Sequence, residues 1–129
     1  MTTAIELSLF LENKPGVLAA VCRDLKREKI NIEAISVVDH IDHALVRMVT
    51  SDPRKSIHAL ERAGVLVIST EVLRIRLDDH PGTLGEVASR LARSKVNIEY
   101  LYGTGGGDSA ATLILRVDDL SRARKALRA

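Results

Sequence analysis

Two short stretches carry the residues best suited to chemistry: Asn13-Lys14-Pro15-Gly16-Val17-Leu18 and Asp79-His80-Pro81-Gly82-Thr83-Leu84. Each places an amide or carboxylate residue and a Pro-Gly pair between a run with strand periodicity and a run with helix periodicity. Proline at an early helical position sets φ and gives up an N–H that has no intrahelical partner, while the glycine beside it lets the backbone come close to a ligand. The N–H groups left at the helix end, together with the positive end of the helix dipole, suit a carboxylate. Asn13 and Asp79 stand where a side chain can cap the helix or receive an ammonium. Their chemistry differs, because Asp79 can ion-pair with an ammonium whereas Asn13 can only accept a hydrogen bond. The pattern therefore predicts a small zwitterion as ligand, held at the second loop at least as well as at the first. A strand-to-helix connection also needs a turn whether or not it binds anything, so the bland account of the same residues is a generic turn.

Three other groups of residues invite a chemical reading and carry less. Asp39-His40-Ile41-Asp42-His43 has two histidines and two carboxylates, adequate in type for a divalent metal. It falls at the tip of a predicted hairpin, where Asp and His are ordinary solvated residues, and no metal is expected there. Gly103-Thr104-Gly105-Gly106-Gly107-Asp108 looks superficially like a phosphate loop, yet a strand follows it where a nucleotide-binding loop requires a helix. Cys22 aligns with Ala88 on an apolar helix stripe and reads as a packing residue, not a nucleophile. No Ser-His-Asp or Cys-His arrangement emerges, so the chain reads as non-enzymatic and without a cofactor.

Composition narrows the classes further. The chain has 129 residues, 46% hydrophobic and 28% charged, with a formal net charge of +2. These are the proportions of a globular protein with a real core. Aromatics are only 2%, which argues against base-stacking modes of nucleic-acid binding, and the cations are interspersed with acids. Nucleic acid is not an expected partner. One cysteine excludes an intramolecular disulfide framework and suits a reducing compartment. No basic-then-apolar leader is present and no apolar run approaches the roughly 18 residues of a membrane helix, so the expected location is the cytoplasm.

The elements that position the two loops repeat with one register. Gly16 recurs as Gly82, and Asn31-Ile32-Glu33 as Asn97-Ile98-Glu99, both at an offset of 66 residues (82 − 16 and 97 − 31). Upstream of each loop, Leu7, Leu9 and Leu11, then Leu73, Ile75 and Leu77, alternate with period two and predict a half-buried strand. Downstream, Leu18, Val21, Cys22 and Leu25 fall at helical spacing and are matched by Leu84, Val87, Ala88 and Leu91. Hairpins follow, from Ile30 to Val38 with Ala44 to Thr50, and from Val96 to Gly103 with Ala111 to Val117. Pro53 opens a second helix, and its counterpart begins near Leu120. Val65 to Leu77 is long for one strand and predicts two strands end to end with a bend near Ser69-Thr70. The second copy ends before a closing strand, which leaves an edge of Val72 to Leu77 to be covered in some other way.

The recurring Asn/Asp-x-Pro-Gly-x-Leu turn, followed at a fixed distance by Asn-Ile-Glu, resembles the ACT domain. The resemblance covers nearly the whole chain as a tandem pair with no attached catalytic domain. It implies an α+β fold of two ferredoxin-like βαββαβ units, residues 1–69 and 70–129, with antiparallel sheets, helices on one face, and a second unit lacking its own last strand. It also implies regulation of amino-acid metabolism by a bound amino acid, lodged between the loop and the start of the strand that carries Asn-Ile-Glu, often across an interface with another such unit. Carried residue by residue, the implied ligand-binding set is Asn13 to Leu18 (Lys14, Pro15, Gly16 and Val17 between them) with Asn31 and Ile32. In the second copy it is Asp79, His80, Pro81, Gly82, Thr83 and Leu84 with Asn97 and Ile98. The implied partners are a small amino acid, a second copy in a homo-oligomer such as a dimer, and a metabolic enzyme. The other reading from the same resemblance is a regulatory subunit of an amino-acid biosynthetic enzyme, acting as an interaction module without a ligand of its own.

Overall fold

The computed structural model describes residues 1–78, 80–104 and 110–128. In chain order the elements are β1 (Thr2–Glu12), α1 (Val17–Arg27), β2 (Ile32–His40), β3 (His43–Thr50), α2 (Pro53–Arg62), β4 (Val67–Leu77), α3 (Thr83–Arg93), β5 (Ile98–Thr104), β6 (Ala111–Val117) and α4 (Leu120–Arg128). The class is α+β, with six strands and four helices, and the repeat is βαββα, as the periodicities predict. The chain forms two compact units, Ile5–Thr70 and Met1–Ala4 with Glu71–Ala129.

In the first unit the strand order is β2-β3-β1-β4. β1 runs antiparallel to β3 with Leu7 opposite Met48, Leu9 opposite Val46 and Leu11 opposite Ala44. Those side chains share one sheet face because alternate residues of a strand do so, and they form a buried cluster with Val21 and Leu25 of α1 and Leu60 of α2. The second unit repeats the scheme. Leu73 and Ile75 of β4 lie opposite Leu115 and Leu113 of β6, and they cluster with Val87 and Leu91 of α3 and Ala123 of α4.

Two sequence expectations change. β4 is one continuous strand, without the bend expected near Ser69-Thr70. The reason is a division of labour along it: Val67 to Thr70 close the first unit, while Glu71 to Leu77 open the second. β1 is divided in the same way, because Met1–Ala4 belong to the second unit and lie in the strand next to β4 in the order β1-β4-β6-β5. Thr2 to Ala4 thus lie beside the β4 edge that opens the second unit and help to cover it.

The helix stripes are also rotated from the expected ones. Leu18 and Leu84 are exposed, at 36% and 43%, and Cys22 is half-buried. The inward positions of α1 are Val17, Val21 and Leu25, spaced by four, with Val17 packed against the core. The shift follows from where each helix begins, immediately after its glycine.

Because Thr2 to Ala4 belong to the second unit, deleting Met1–Ala4 is expected to speed amide hydrogen exchange in Glu71 to Leu77 and leave β2 and β3 of the first unit at their parental rates. Exchange followed by mass spectrometry on the full chain and the deletion variant checks this.

Candidate functional site

Each Pro-Gly pair makes the same turn. Val17 N–H donates to Lys14 O at 3.4 Å, and Thr83 N–H donates to His80 O at 3.4 Å. Gly16, at φ 89 and ψ −14, and Gly82, at φ 93 and ψ −11, occupy the left-handed region. A proline followed by a residue with these angles is the signature of a type II turn, which needs glycine at its third position. The proline is therefore in the turn, outside the helix, and glycine is the N-cap residue.

Only glycine carbonyls begin the helical ladder here: Ala20 N–H donates to Gly16 O and Glu86 N–H to Gly82 O, both at 3.0 Å. The amides of Leu18 and Ala19, and of Leu84 and Gly85, precede the first residues that have an i−4 acceptor within the helix. No side chain caps either helix. The other two helices differ. Asp52, followed by Pro53 at the first helical position, accepts Lys55 N–H at 3.0 Å through Oδ1. Asp119 accepts Arg122 N–H at 2.9 Å at the start of α4. Side-chain caps thus close α2 and α4, while α1 and α3 begin open, on exposed glycines where an added Cβ would meet nothing within 4 Å.

The polar side chains of the first loop turn back onto the protein. Asn13 does not cap the helix; its Nδ2 donates to Asp39 Oδ1 at 2.7 Å and to Ile41 O at 3.0 Å, and its N–H donates to Asp42 O at 3.0 Å. Asp39 Oδ1 also accepts Ile41 N–H at 2.8 Å, so the acidic hairpin tip is occupied with closing the turn. Among the described residues no three His, Cys, Asp or Glu side chains gather to hold a metal ion. The Lys14 ammonium lies 2.6 Å from Glu12 Oε2. This contact holds the Glu12 carboxyl below its ordinary value and raises the Lys14 ammonium above its own.

The second loop opens onto a hollow of about 380 Å³. Its apolar lining comes from Leu77, Leu84, Leu101, Ala111 and Leu113, and its polar lining from Asp78, His80, Thr83 and Thr104. Thr83 Oγ1 donates to His80 O at 2.9 Å and lies 3.0 Å from His80 Nδ1, which fixes the imidazole against the turn. Glu86 stands in the first turn of α3, where α1 has no acid. Open amides with carboxylates nearby match both ends of a zwitterion, where a simple anion would use only the amides.

Of the residues predicted for the site, Asn13 to Leu18 come together in the first unit, and His80 to Leu84 in the second; Asp79 lies outside the described residues. Asn31 and Ile32 lie elsewhere in their unit. Ile32 is opposite Thr50 and Glu12 is opposite His43, so seven residues of β3 separate them, about 23 Å along the strand. Asn31 is tied to the start of α2, its N–H donating to Ser51 Oγ and its carbonyl accepting Ser51 N–H, each at 2.9 Å. Asn97 is held in the same way by Asp118 at 2.9 Å and 3.2 Å. Ile98 is opposite Val117 while Leu77 is opposite Ala111, about 20 Å apart along β6. Within one unit, the loop and the start of the next strand are at opposite ends of the sheet. Leu77, Asp78, Gly85, Leu101, Gly103, Thr104, Ala111 and Leu113 line the hollow without having been predicted for the site. A signal for two of them was present: in the 66-residue register Gly85 replaces Ala19 and Gly103 replaces Val37.

The model of the ACT domain pair family matches residues 1–128. The chain belongs to that family. No curated protein matches the ACT pair. Among solved structures it is similar to a protein of Bacteroides thetaiotaomicron, at 32% identity and TM-score 0.93 over 98% of this chain and 87% of the other. The regulatory subunit of aspartate kinase from Thermus thermophilus, in its ligand-free form, shares the fold at 18% identity and TM-score 0.72, over 99% and 93% of the two chains. So does the Thermus flavus regulatory subunit, at 18% identity and TM-score 0.61, over 98% and 94%. No described helix of the ACT pair is long and apolar enough to cross a membrane.

At Gly82 the cost of a side chain lies in the backbone and not in space. Gly82→Ala is expected to lower stability by about 1–2 kcal/mol, read as a reduced urea midpoint with unchanged slope. A parental midpoint would mean that the turn relaxes out of the left-handed region.

Proposed function

We propose that this ACT pair is a non-enzymatic regulatory protein that binds a free amino acid at a Pro-Gly loop and, through occupancy, controls the association of its subunits or of a partner enzyme of amino-acid metabolism. One observation carries the proposal: the two helices that follow Pro-Gly loops start uncapped and exposed, while the two that do not are closed by Asp52 and Asp119. Unsatisfied amides at an exposed helix end attract a carboxylate, and Asp78, His80 and Thr83 supply polar partners beside the second end. Asp79, from its place in the sequence, is proposed to receive the ligand's ammonium. Likeness in fold to regulatory subunits of aspartate kinase supports a regulatory role. A ligand shifts an assembly only by its differential affinity for the assembled and free forms.

A second reading has its own observation. β2 is an edge strand of the first unit, and it exposes Ile35 and Val37 on one face and Val38 on the other. Adjacent large apolar side chains on an open edge favour association with another protein surface. The same edge serves a homodimer or a regulatory subunit seated on an enzyme, with or without an amino acid in the loops.

A thermal-shift screen over the twenty amino acids separates the readings. A ligand at a hundredfold excess over its Kd stabilises the folded state by about 2.7 kcal/mol, a rise of several degrees in Tm. A rise for one chemical class of amino acid is the expected result. A flat response across all twenty, with the purified chain bound to an enzyme, favours the interaction module.

A further inference from the structure

We infer that the hollow beside the second loop selects an α-amino acid with an uncharged aliphatic side chain and that each chain binds one such ligand, at this loop; the inference rests on the amino-acid reading above and assigns its ligand class and stoichiometry. The hollow's volume of about 380 Å³ is near the small end of ligand sites, roughly 300–1,000 Å³. Of its polar groups, Asp78, His80 and Thr83 belong to the turn and the helix start, where the carboxylate and ammonium of an amino acid have to lie, and Thr104 ends β5. Away from that rim the lining is Leu77, Leu101, Ala111 and Leu113. No lysine or arginine is among the described lining residues, so an acidic ligand side chain would find no cation. A basic one would lose its hydration against the leucines, and the one carboxylate among the described lining residues, Asp78, sits at the rim where the ligand's ammonium has to lie.

The comparison between repeats explains the single site. Gly103 stands in the register place of Val37, and a Cβ on it would collide with the Leu113 side chain and come within 2.8 Å of the Thr112 carbonyl. Strand β5 therefore passes β6 without a side chain at that point, and the Leu113 side chain, which lines the hollow, takes the place that a Cβ would need. Gly85 stands in the place of Ala19; nothing lies within 4 Å of where its Cβ would be, and it too lines the hollow. In the first repeat Ala19 and Val37 carry side chains at the corresponding positions, Lys14 is paired with Glu12, and the Asn13 amide is bound to the hairpin.

Gly85 allows the test without damage to the fold, since leucine is a better helix former than glycine and enters open space. Isothermal titration of the full chain with L-leucine, L-isoleucine and L-valine is expected to give one ligand per chain, bound at least tenfold tighter than L-lysine or L-aspartate. Gly85→Leu should weaken that binding at least tenfold with a Tm no lower than the parent's. Gly85→Ala should weaken it less, and Ala19→Leu should leave it unchanged. Preference for lysine or aspartate, two ligands per chain, or undiminished binding by Gly85→Leu would each overturn this inference while leaving an amino-acid sensor standing. No heat from any of the twenty amino acids would remove the sensor reading and this inference with it.

Discussion

Everything proposed for this protein depends on a backbone constraint met twice: a residue at positive φ immediately before a helix. Gly16 and Gly82 meet it at φ 89 and 93. For any residue with a side chain the left-handed conformation costs about 1–2 kcal/mol, while the preceding proline suits the first inner position of such a turn and glycine supplies the second. The consequence is mechanical. Chain direction changes within two residues, the helix starts without a side chain poised to cap it, and two amides face outward. The other two helices of the same protein begin on an ordinary aspartate cap, at Asp52 and at Asp119.

The two units share a scaffold and have diverged at the loop. Leucines of β1 and their counterparts in β4 anchor equivalent cores, with Leu7, Leu9, Leu73 and Leu91 all inaccessible to solvent. Even the helix ends match: Lys29 and Lys95 both take φ 59, and the following amides of Ile30 and Val96 return to Leu25 O and Leu91 O at 2.9 Å. This is the bonding of a left-handed helix C-terminus, here tolerated by lysine where glycine is usual. Against so exact a repeat, the differences at the loops stand out as chemistry: a folded-back Lys14 and Asn13 in one, and an apolar hollow with a histidine-threonine pair in the other.

Much of this was legible in the sequence. Period-two leucines and helical stripes located the elements, and the 66-residue register exposed the duplication before any coordinates. The family resemblance supplied the ferredoxin-like architecture and pointed to the loops as candidates. Other features depended on long-range geometry. Periodicity could not show that Thr2 to Ala4 serve the second unit, because an edge position leaves no distinctive pattern in so short a segment. Leu18 and Leu84 looked like core residues by spacing alone; a helix that begins one residue after a left-handed glycine turns them outward. Asn13 resembled a cap in its residue type, yet the β2–β3 hairpin offered its amide two acceptors. The apolar floor of the hollow comes from β4, β5 and β6, strands distant in sequence, and only the substitution of Ala19 and Val37 by glycines hinted at it.

The central claim concerns particular amides, and ¹⁵N-resolved NMR of the uniformly labelled chain during titration with an amino acid identified by its stabilising effect tests it most directly. The account predicts that the amide resonances of Leu84 and Gly85 move progressively and saturate, while those of Leu18 and Ala19 stay in place. Saturable shifts confined to residues remote from Gly82, with the Leu84 and Gly85 resonances unmoved, would contradict it.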